Sequence, residues 1–319
     1  MRNQTQIRHH RTLPIQQSRS HLWKEIANHK YLYVLVVPTI LFYLFFTYVP
    51  MYGIVLAFKE FDYSKGIVGS PWIGFQNFAD VFANPDFSVA FRNTILISFG
   101  RLIIEFPAPI ILALLLNEIS KGRLTRIIQT VFTFPHFISW VVISGIVVGI
   151  FSSQGLYNQI LFLFGLENQS VLTNGPGFTA VLFLSNIWKE AGWSAILYLA
   201  AIAGINPEIY EAAAVDGANR FQQMKAITWP VVKSTAAILL ILAVGNIMNG
   251  GFDQIFNLYN PAVYNYSDIL DTLVYRSAFE DATGFGFSTT VGLLKSVINC
   301  ALLFAANYFI KTVAKEEGL

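Results

Sequence analysis

The sequence predicts an all-α membrane protein, built as a bundle of six membrane-spanning helices. Of the 319 residues, 54% are hydrophobic and only 13% are charged, which is too apolar for an ordinary soluble domain. Six apolar runs are each long enough to cross the ~30 Å hydrocarbon core of a bilayer. None alternates as a strand of a membrane β-barrel does. Because a lipid-exposed segment must satisfy its own backbone hydrogen bonds, we predict that all six are helices.

These runs divide the chain into one membrane domain and two short tails. The predicted spans are residues 31–58, 89–116, 127–151, 178–203, 235–256 and 287–310. We expect a basic tail over 1–30, a membrane domain over 31–311 and a second tail over 312–319. The membrane domain includes an aromatic-rich loop over 59–88 and a polar loop over 204–233. The first run is too long for the apolar core of a signal peptide, so we expect it to stay in the protein.

Basic residues are concentrated in alternate connections. With the N-terminal tail inside, the inner segments hold Arg2, Arg8, Arg11, Arg19, Lys24, Lys30, Lys121, Arg123, Arg126, Arg220, Lys225, Lys233, Lys311 and Lys315. The outer loops hold only Lys59, Lys65 and Arg276. The positive-inside rule therefore predicts that both tails and the 204–233 loop lie in the cytoplasm.

The 204–233 loop carries helix signals of its own. Asn206 is a good N-cap for a helix that begins at Pro207, and Glu208 is favourable near the positive end of its dipole. Gly217 supplies a left-handed position that ends this helix. Residues 218–227 then predict a second short helix at an angle, so that the pair forms a bent knob.

The same loop resembles the EAA loop of the permease subunits of bacterial ABC importers. Glu-Ala-Ala is followed by three residues, Gly, nine residues, Ile, one residue and Trp-Pro, where Trp229 replaces the usual Leu. In that family the loop seats in a groove of the ATPase subunit and couples ATPase closure to the channel. The residues that the resemblance assigns to ATPase coupling are Glu211, Ala212, Ala213, Asp216, Gly217, Ala218, Ile227 and Pro230.

Two outer phrases resemble the sugar, or maltose-type, branch, and within it the permeases for larger oligosaccharides and polysaccharides. They are Val49-Pro50-Met51-Tyr52-Gly53 and Ser70-Pro71-Trp72-Ile73-Gly74-Phe75-Gln76-Asn77-Phe78. The resemblance implies a type I importer in the bacterial cytoplasmic membrane. Its partners would be two ATPase subunits, a second homologous permease, an extracellular solute-binding protein, membrane lipid and an oligosaccharide. We expect no nucleic acid, no metal and no cofactor on this chain, with ATP and Mg²⁺ held by the ATPases.

Polar side chains inside the predicted spans are candidates for the substrate pathway, because such residues in a membrane usually face a cavity or a partner. The fourth span carries Asn186, Trp188, Lys189, Glu190 and Trp193. These residues suit the wall of a cavity that binds sugar. They suit equally a broken or packed helix whose charges pair with a second subunit. Lys189 and Glu190 are sequence neighbours and are expected to point to different faces, so we predict that they do not neutralise each other.

Two further spans add candidates. Asn246, Asn249, Gly250 and Asp253 are spaced as one stripe of a helix, and Lys295 and Asn299 share a face of the last span. Hydrogen bonding between helices competes with substrate binding at each. The two lysines would suit an acidic sugar, although a lysine also binds neutral sugars or pairs with a carboxylate. Arg101 and Glu105 are predicted to form an ion pair, and His136 to be structural.

Two alternatives remain at this point. A permease of the same architecture could carry phosphate, an amino acid or a metal chelate. An intramembrane enzyme could use Glu190 or Asp253 as an acid or base, although the sequence offers no partner nucleophile or metal set. The chain has no G-x-x-x-x-G-K-[ST] phosphate loop, so we expect it to be non-catalytic and ATP to be hydrolysed by a partner.

Overall fold

A computed structural model describes residues 28–119, 122–280, 284–309 and Thr312. The regular secondary structure of these residues is helical, apart from one isolated β-bridge between Lys59 and Trp72. The predicted tails lie largely outside the described residues, at 1–27 and 313–319, as do Lys121 and the end of the last predicted span. The described residues fall into two compact units, with the division between Gly53 and Ile54.

The first helices hold the N-terminal spans and the loop between them. They are α1 Lys30–Tyr43, α2 Gly66–Gly69, α3 Gln76–Ala83, α4 Pro85–Gly100, α5 Pro107–Glu118, α6 Arg123–Thr133, α7 Trp140–Phe151 and α8 Leu156–Leu163. Short π-helical or 3₁₀ segments extend several of them, at Leu44–Tyr48, Pro50–Phe58, Arg101–Glu105 and Phe134–Phe137. Asn84 caps α4 by accepting from the amides of Asp86 and Phe87.

The remaining helices belong to the C-terminal half. They are α9 Gly175–Ala203, α10 Pro207–Val215, α11 Arg220–Gln223, α12 Trp229–Gly245, α13 Phe252–Leu258, α14 Tyr264–Ser267, α15 Leu270–Phe279 and α16 Gly284–Phe309. The segments Val171–Thr173 and Pro261–Val263 are 3₁₀ turns, and Met224–Thr228 is a π-helical turn that joins α11 to α12.

By length and composition, five helices of the described residues can cross a membrane. They are Lys30–Phe58, Pro85–Glu118, Trp140–Leu163, Arg220–Gly245 and Gly284–Tyr308. The sixth predicted span is α9, whose 29 residues give it ample length. Its polar central segment keeps it below the hydropathy of the other five, which is the pattern of a helix that is buried among others.

The predicted third span, 127–151, is wrong as a continuous helix. α6 ends at Thr133, a 3₁₀ turn follows over Phe134–Phe137, and α7 starts at Trp140. Pro135 lies in this turn, and Ser139 caps α7 by accepting from the amide of Val142. We call residues 134–139 the first break.

The predicted fifth span, 235–256, is also interrupted. Its helix begins earlier, at Arg220, and ends at Gly245, after which the backbone turns before α13 begins at Phe252. Gly251 adopts a left-handed conformation with φ +87°, which an ordinary side chain rarely allows. We call residues 246–251 the second break. The predicted polar stripe of Asn246, Asn249, Gly250 and Asp253 therefore does not lie on one helix.

Helix α9 organises the packing of the second unit. Its buried residues Phe178 and Leu182 pack with α7 and α13, and Ala195, Tyr198 and Ile202 pack with α5 and α12. At Gly192 the backbones of α9 and α6 meet. A Cβ atom there would lie 2.0 Å from the carbonyl oxygen of Phe132, so only glycine fits.

We predict that Gly192→Ala destabilises the protein by about 2 kcal/mol or more, because backbone atoms cannot move aside as a side chain can. The measurement is thermal unfolding of the detergent-solubilised protein. Gly149→Ala is the matched control, since a Cβ atom there meets nothing within 4 Å. Equal melting temperatures for the two variants would contradict this account of the contact between α6 and α9.

Candidate functional site

The 204–233 loop forms the predicted first helix and bend. The side chain of Asn206 accepts from the amide of Glu208 at 3.1 Å, Pro207 opens α10, and Gly217 has φ +82°. A Cβ atom at Gly217 would meet nothing within 4 Å, so glycine is needed for backbone conformation and not for space. The sequence prediction is confirmed for this half of the loop.

The second half differs from the prediction of a short helix. Asn219 and Gln222 form a reciprocal capping box that starts α11, and the helix then continues without interruption to Gly245. We call this continuous helix, Arg220–Gly245, the rod. The hydroxyl of Tyr210 on α10 lies 2.8 Å from that of Thr228, which is fully buried in the rod. Helix α10 is therefore tied to the rod.

Helix α10 buries none of its own residues in this chain. Five of the eight residues assigned to coupling are exposed, namely Glu211, Ala212, Asp216, Gly217 and Pro230. Val215 is 88% exposed and Phe221 is 67% exposed. Exposed apolar side chains beside small residues are typical of a surface that a partner covers.

A cavity of about 340 Å³ lies among α4, α5, α9 and the rod. Four of the predicted pathway residues line it: Asn186 and Glu190 from α9, and Asn246 and Asn249 from the second break. Asn246 and Asn249 are exposed, and the amide of Asn249 donates to Asn246 Oδ1 at 3.3 Å. The structure thus brings together polar residues that are up to 63 positions apart in sequence.

Arg101 and Glu105 also line this cavity. Arg101 Nη1 lies 3.8 Å from Glu105 Oε2, which confirms the predicted pair. Asn186 Nδ2 donates to the same carboxylate. Arg101 Nε and Glu105 Oε1 are buried without a hydrogen-bond partner among the described residues. Buried polar atoms of this kind are costly, which favours a site that a polar ligand or water completes.

Lys189 and Glu190 do form an ion pair, so the prediction that they cannot neutralise each other is wrong. Lys189 Nζ lies 3.1 Å from Glu190 Oε1. It also donates to the carbonyl oxygen of His136 at 2.6 Å, and Glu190 Oε2 lies 2.6 Å from His136 Nδ1. Both charges converge on the first break, because the long lysine stem lets its ammonium reach back around the helix.

The tryptophans of α9 differ in their surroundings. The ring of Trp193 stacks on His136, with centroids 4.4 Å apart and planes 2° apart. His136 of the first break therefore covers one face of the Trp193 ring, and that face cannot stack on a sugar. Trp188 is 50% exposed, and its ring remains available to a ligand or a neighbouring subunit.

The candidates of the last span also have protein partners. Asn299 Oδ1 accepts from the amide of Met248 at 3.0 Å, which satisfies a donor freed by the second break. Lys295 pairs with Asp271 of α15. Asp253 is exposed on α13. Both lysines that would suit an acidic sugar, Lys189 and Lys295, are thus paired with carboxylates of this chain.

A second polar cluster lies in the connection between α13 and α16. Arg276 donates to both oxygens of Asp268 at 2.7 Å, and its guanidinium lies 5.0 Å from the ring centre of Tyr264. The hydrogen bond to Asp268 raises the pKa of Arg276 above its ordinary value. Burial raises the pKa of Tyr259 to about 12. The cluster holds no predicted site residue and stabilises this connection.

A larger cavity of about 920 Å³ lies beside α10. α6 and the second half of α9 line it, together with Pro207 and Tyr210 of α10. It contains none of the predicted pathway residues. We therefore assign the candidate pathway to the smaller cavity, which four of the predicted pathway residues line together with Arg101 and Glu105.

Sequence reasoning missed two contributors to the site. Gln254 is 1% exposed and accepts from Arg101, but a lone glutamine within an apolar run gave no signal. His136 was predicted to be structural, yet it bonds Glu190, which lines the cavity. Its position beside Pro135 was the available signal, because a proline inside a span frees backbone carbonyls that need donors.

We predict that Lys189→Met destabilises the protein by about 3 kcal/mol, because it leaves Glu190 and the His136 carbonyl without their cation. The measurements are melting temperature and recovery from the membrane. A variant with an unchanged melting temperature and lost transport would instead make Lys189 a substrate ligand.

Comparison with known proteins agrees with this architecture. The family model of the binding-protein-dependent transport system inner membrane component matches residues 105–314. Protein LplB of Bacillus subtilis (strain 168) is 42% identical over 295 residues, 92% of each chain. The polygalacturonan/rhamnogalacturonan transport system permease protein YteP of the same organism is 38% identical over 304 residues, 95% of this chain and 94% of that one.

A solved structure shares the whole fold. In the crystal structure of a bacterial alginate ABC transporter in complex with an alginate pentasaccharide-bound periplasmic protein, one chain superposes with a TM-score of 0.84 at 37% identity. The match covers 93% of this chain and 99% of that one. The predicted type I importer fold and the resemblance to sugar permeases are confirmed. This chain belongs to the binding-protein-dependent transport system inner membrane component family and is a multi-pass permease subunit of an ABC transporter.

Proposed function

We propose that this chain forms half of the translocation pathway of an ATP-driven oligosaccharide importer. Two similar proteins belong to polysaccharide transport systems: YteP to a polygalacturonan/rhamnogalacturonan system, and the solved structure to an alginate transporter. The cavity beside Arg101 offers amide and carboxylate groups that suit sugar hydroxyls. We infer that Asn186, Glu190, Asn246 and Asn249 face the substrate.

The observation that carries this proposal is the rod. Its first residue, Arg220, follows the coupling helix and the bend at Gly217, and its last, Gly245, adjoins the break that carries Asn249. The 26 residues of this helix span ~39 Å at 1.5 Å per residue. One continuous helix thus joins the ATPase-coupling loop to the polar cavity.

The mechanism follows as alternating access. ATP-driven closure of two ATPase subunits would pull on α10, which the Tyr210–Thr228 hydrogen bond ties to the rod. A tilt of the rod displaces the second break, because a helix moves as a rigid body while its ends absorb the change. The side chains at that break are then exposed to one side of the membrane or the other.

The proposed assembly has this chain beside a second homologous permease, with a solute-binding protein on the outer side. The family description already names binding-protein-dependent transport. The basic residues of the inner connections support an orientation with both tails and the 204–233 loop in the cytoplasm. ATP and Mg²⁺ are held by the ATPase subunits, and this chain contributes no catalytic residue.

The substrate class is tested by uptake into vesicles that contain the complete transporter with its own binding protein. The panel is oligogalacturonides, an alginate pentasaccharide and galacto-oligosaccharides, with phosphate and an amino acid mixture as non-sugar competitors. We expect saturable uptake of one sugar class that the other compounds do not reduce. Uptake of a non-sugar compound alone would contradict the proposal.

We predict that Asn249→Ala lowers uptake about tenfold per complex, because it removes an exposed donor from the cavity. Assembly and basal ATPase activity should stay near normal, since Asn249 bonds only Asn246 among side chains of the described residues. Co-purification and uptake are measured together. Normal uptake would remove Asn249 from the pathway.

We predict that Gly217→Val reaches the membrane in normal amount but uncouples transport from ATP hydrolysis. A β-branched residue at φ +82° costs about 1 kcal/mol or more and turns α10 away from its partner. Gly217→Asn is the matched control, because asparagine tolerates this conformation. Co-purification of the ATPase and substrate-stimulated ATPase activity are measured. Normal coupling by Gly217→Val would show that this bend is not needed.

A further inference from the structure

The second break carries Asn249 into the cavity, and the side chain of Arg101 packs against the backbone of this break. Arg101, in the π-helical turn after α4, lies directly against Gly251. A Cβ atom on Gly251 would come within 2.5 Å of Arg101 Nη2 and 2.9 Å of Cζ. The φ of +87° favours glycine here, and any larger residue would also displace the guanidinium packed on it.

The guanidinium is fixed from both ends. Arg101 Nη2 donates to Gln254 Oε1 at 2.6 Å, while Nη1 faces Glu105. Gln254 in turn donates to the carbonyl oxygen of Leu182 at 2.7 Å and to Ser185 Oγ at 3.0 Å, both on α9. Since Gln254 is 1% exposed, water cannot replace these bonds.

We infer that Arg101 is a positioning residue for transport, which acts on substrate through Asn249 by fixing the turn at Gly251. This inference rests on the proposed function, since it requires Asn249 to face the sugar. A planar guanidinium can hold Gln254 and Glu105 at once while it covers the glycine, whereas the point charge of a lysine cannot.

If the Arg101–Glu105 ion pair stabilised the fold alone, substitutions of Arg101 and of Asn249 would lower uptake independently. Arg101 and Glu105 line the same cavity as Asn246 and Asn249, and Arg101 Nε has no partner among the described residues. When two residues act through one contact, the loss of uptake in the double variant is smaller than the product of the two single losses. When they act independently, the two fold-losses multiply.

The experiment is a double-mutant cycle of Arg101→Lys and Asn249→Ala in the complete transporter. Uptake of the panel sugar that the native transporter carries is measured per assembled complex in reconstituted vesicles. We expect each single variant to lose about tenfold, and the double variant to lose no more than the worse single one. Gln254→Leu, which removes the acceptor of Arg101, should show the same non-additivity with Asn249→Ala.

Arg92→Lys is the matched control, on α4, which precedes the turn that holds Arg101. The side chain of Arg92 donates at 2.6 Å to the carbonyl oxygen of Asn265, which lies outside the second break. The fold-loss of uptake caused by Arg92→Lys should multiply with the fold-loss caused by Asn249→Ala. Multiplicative losses for Arg101→Lys and Asn249→Ala would overturn the positioning role and leave the pathway intact. Failure of both Arg101→Lys and Gln254→Leu to assemble would also overturn it, by assigning Arg101 to the fold. An unaffected Asn249→Ala would refute the pathway assignment itself.

Discussion

The structure depends on satisfying the backbone polar groups that two helix breaks expose within the membrane. A bilayer core offers no water to these groups, so each must find a partner in the protein. At the first break Lys189 donates to the carbonyl of His136, and at the second Asn299 accepts from the amide of Met248. Much of the intramembrane polarity of this chain therefore stabilises breaks. Asn246 and Asn249 line the cavity and are exposed, and they are the groups that we propose meet a substrate.

The second break determines where the rod ends relative to the cavity. An uninterrupted fifth span would run past the cavity, and its polar residues would form a stripe along one face. Because the helix stops at Gly245, the rod ends at the cavity and leads directly into the second break. Its other end adjoins α10 and the bend at Gly217. In the mechanism that we propose, motion of the 204–233 loop would reach the residues that line the cavity through this one helix.

Local rules predicted the coupling loop well. Capping by Asn206 and the left-handed Gly217 depend on a few adjacent residues, so the sequence alone was sufficient. The spans were found by hydropathy, which cannot detect where an apolar helix stops. The breaks therefore went unpredicted, although Pro135 and the Gly250-Gly251 pair mark them. Pairing of Lys189 with Glu190 was missed because both contact a third group, His136, which lies in the first break and is more than 50 positions away in sequence.

The most direct test asks whether the second break faces an alternating pathway. The chain has one cysteine, Cys300, which is exposed, so Asn249→Cys in a Cys300→Ser background gives a single reactive thiol. Labelling by a membrane-impermeant maleimide is measured in reconstituted vesicles, from each side, with and without trapped ATP. The account predicts that the thiol reacts from one side at a time and that ATP changes the side. A thiol that never reacts, or reacts equally in both states, would contradict it.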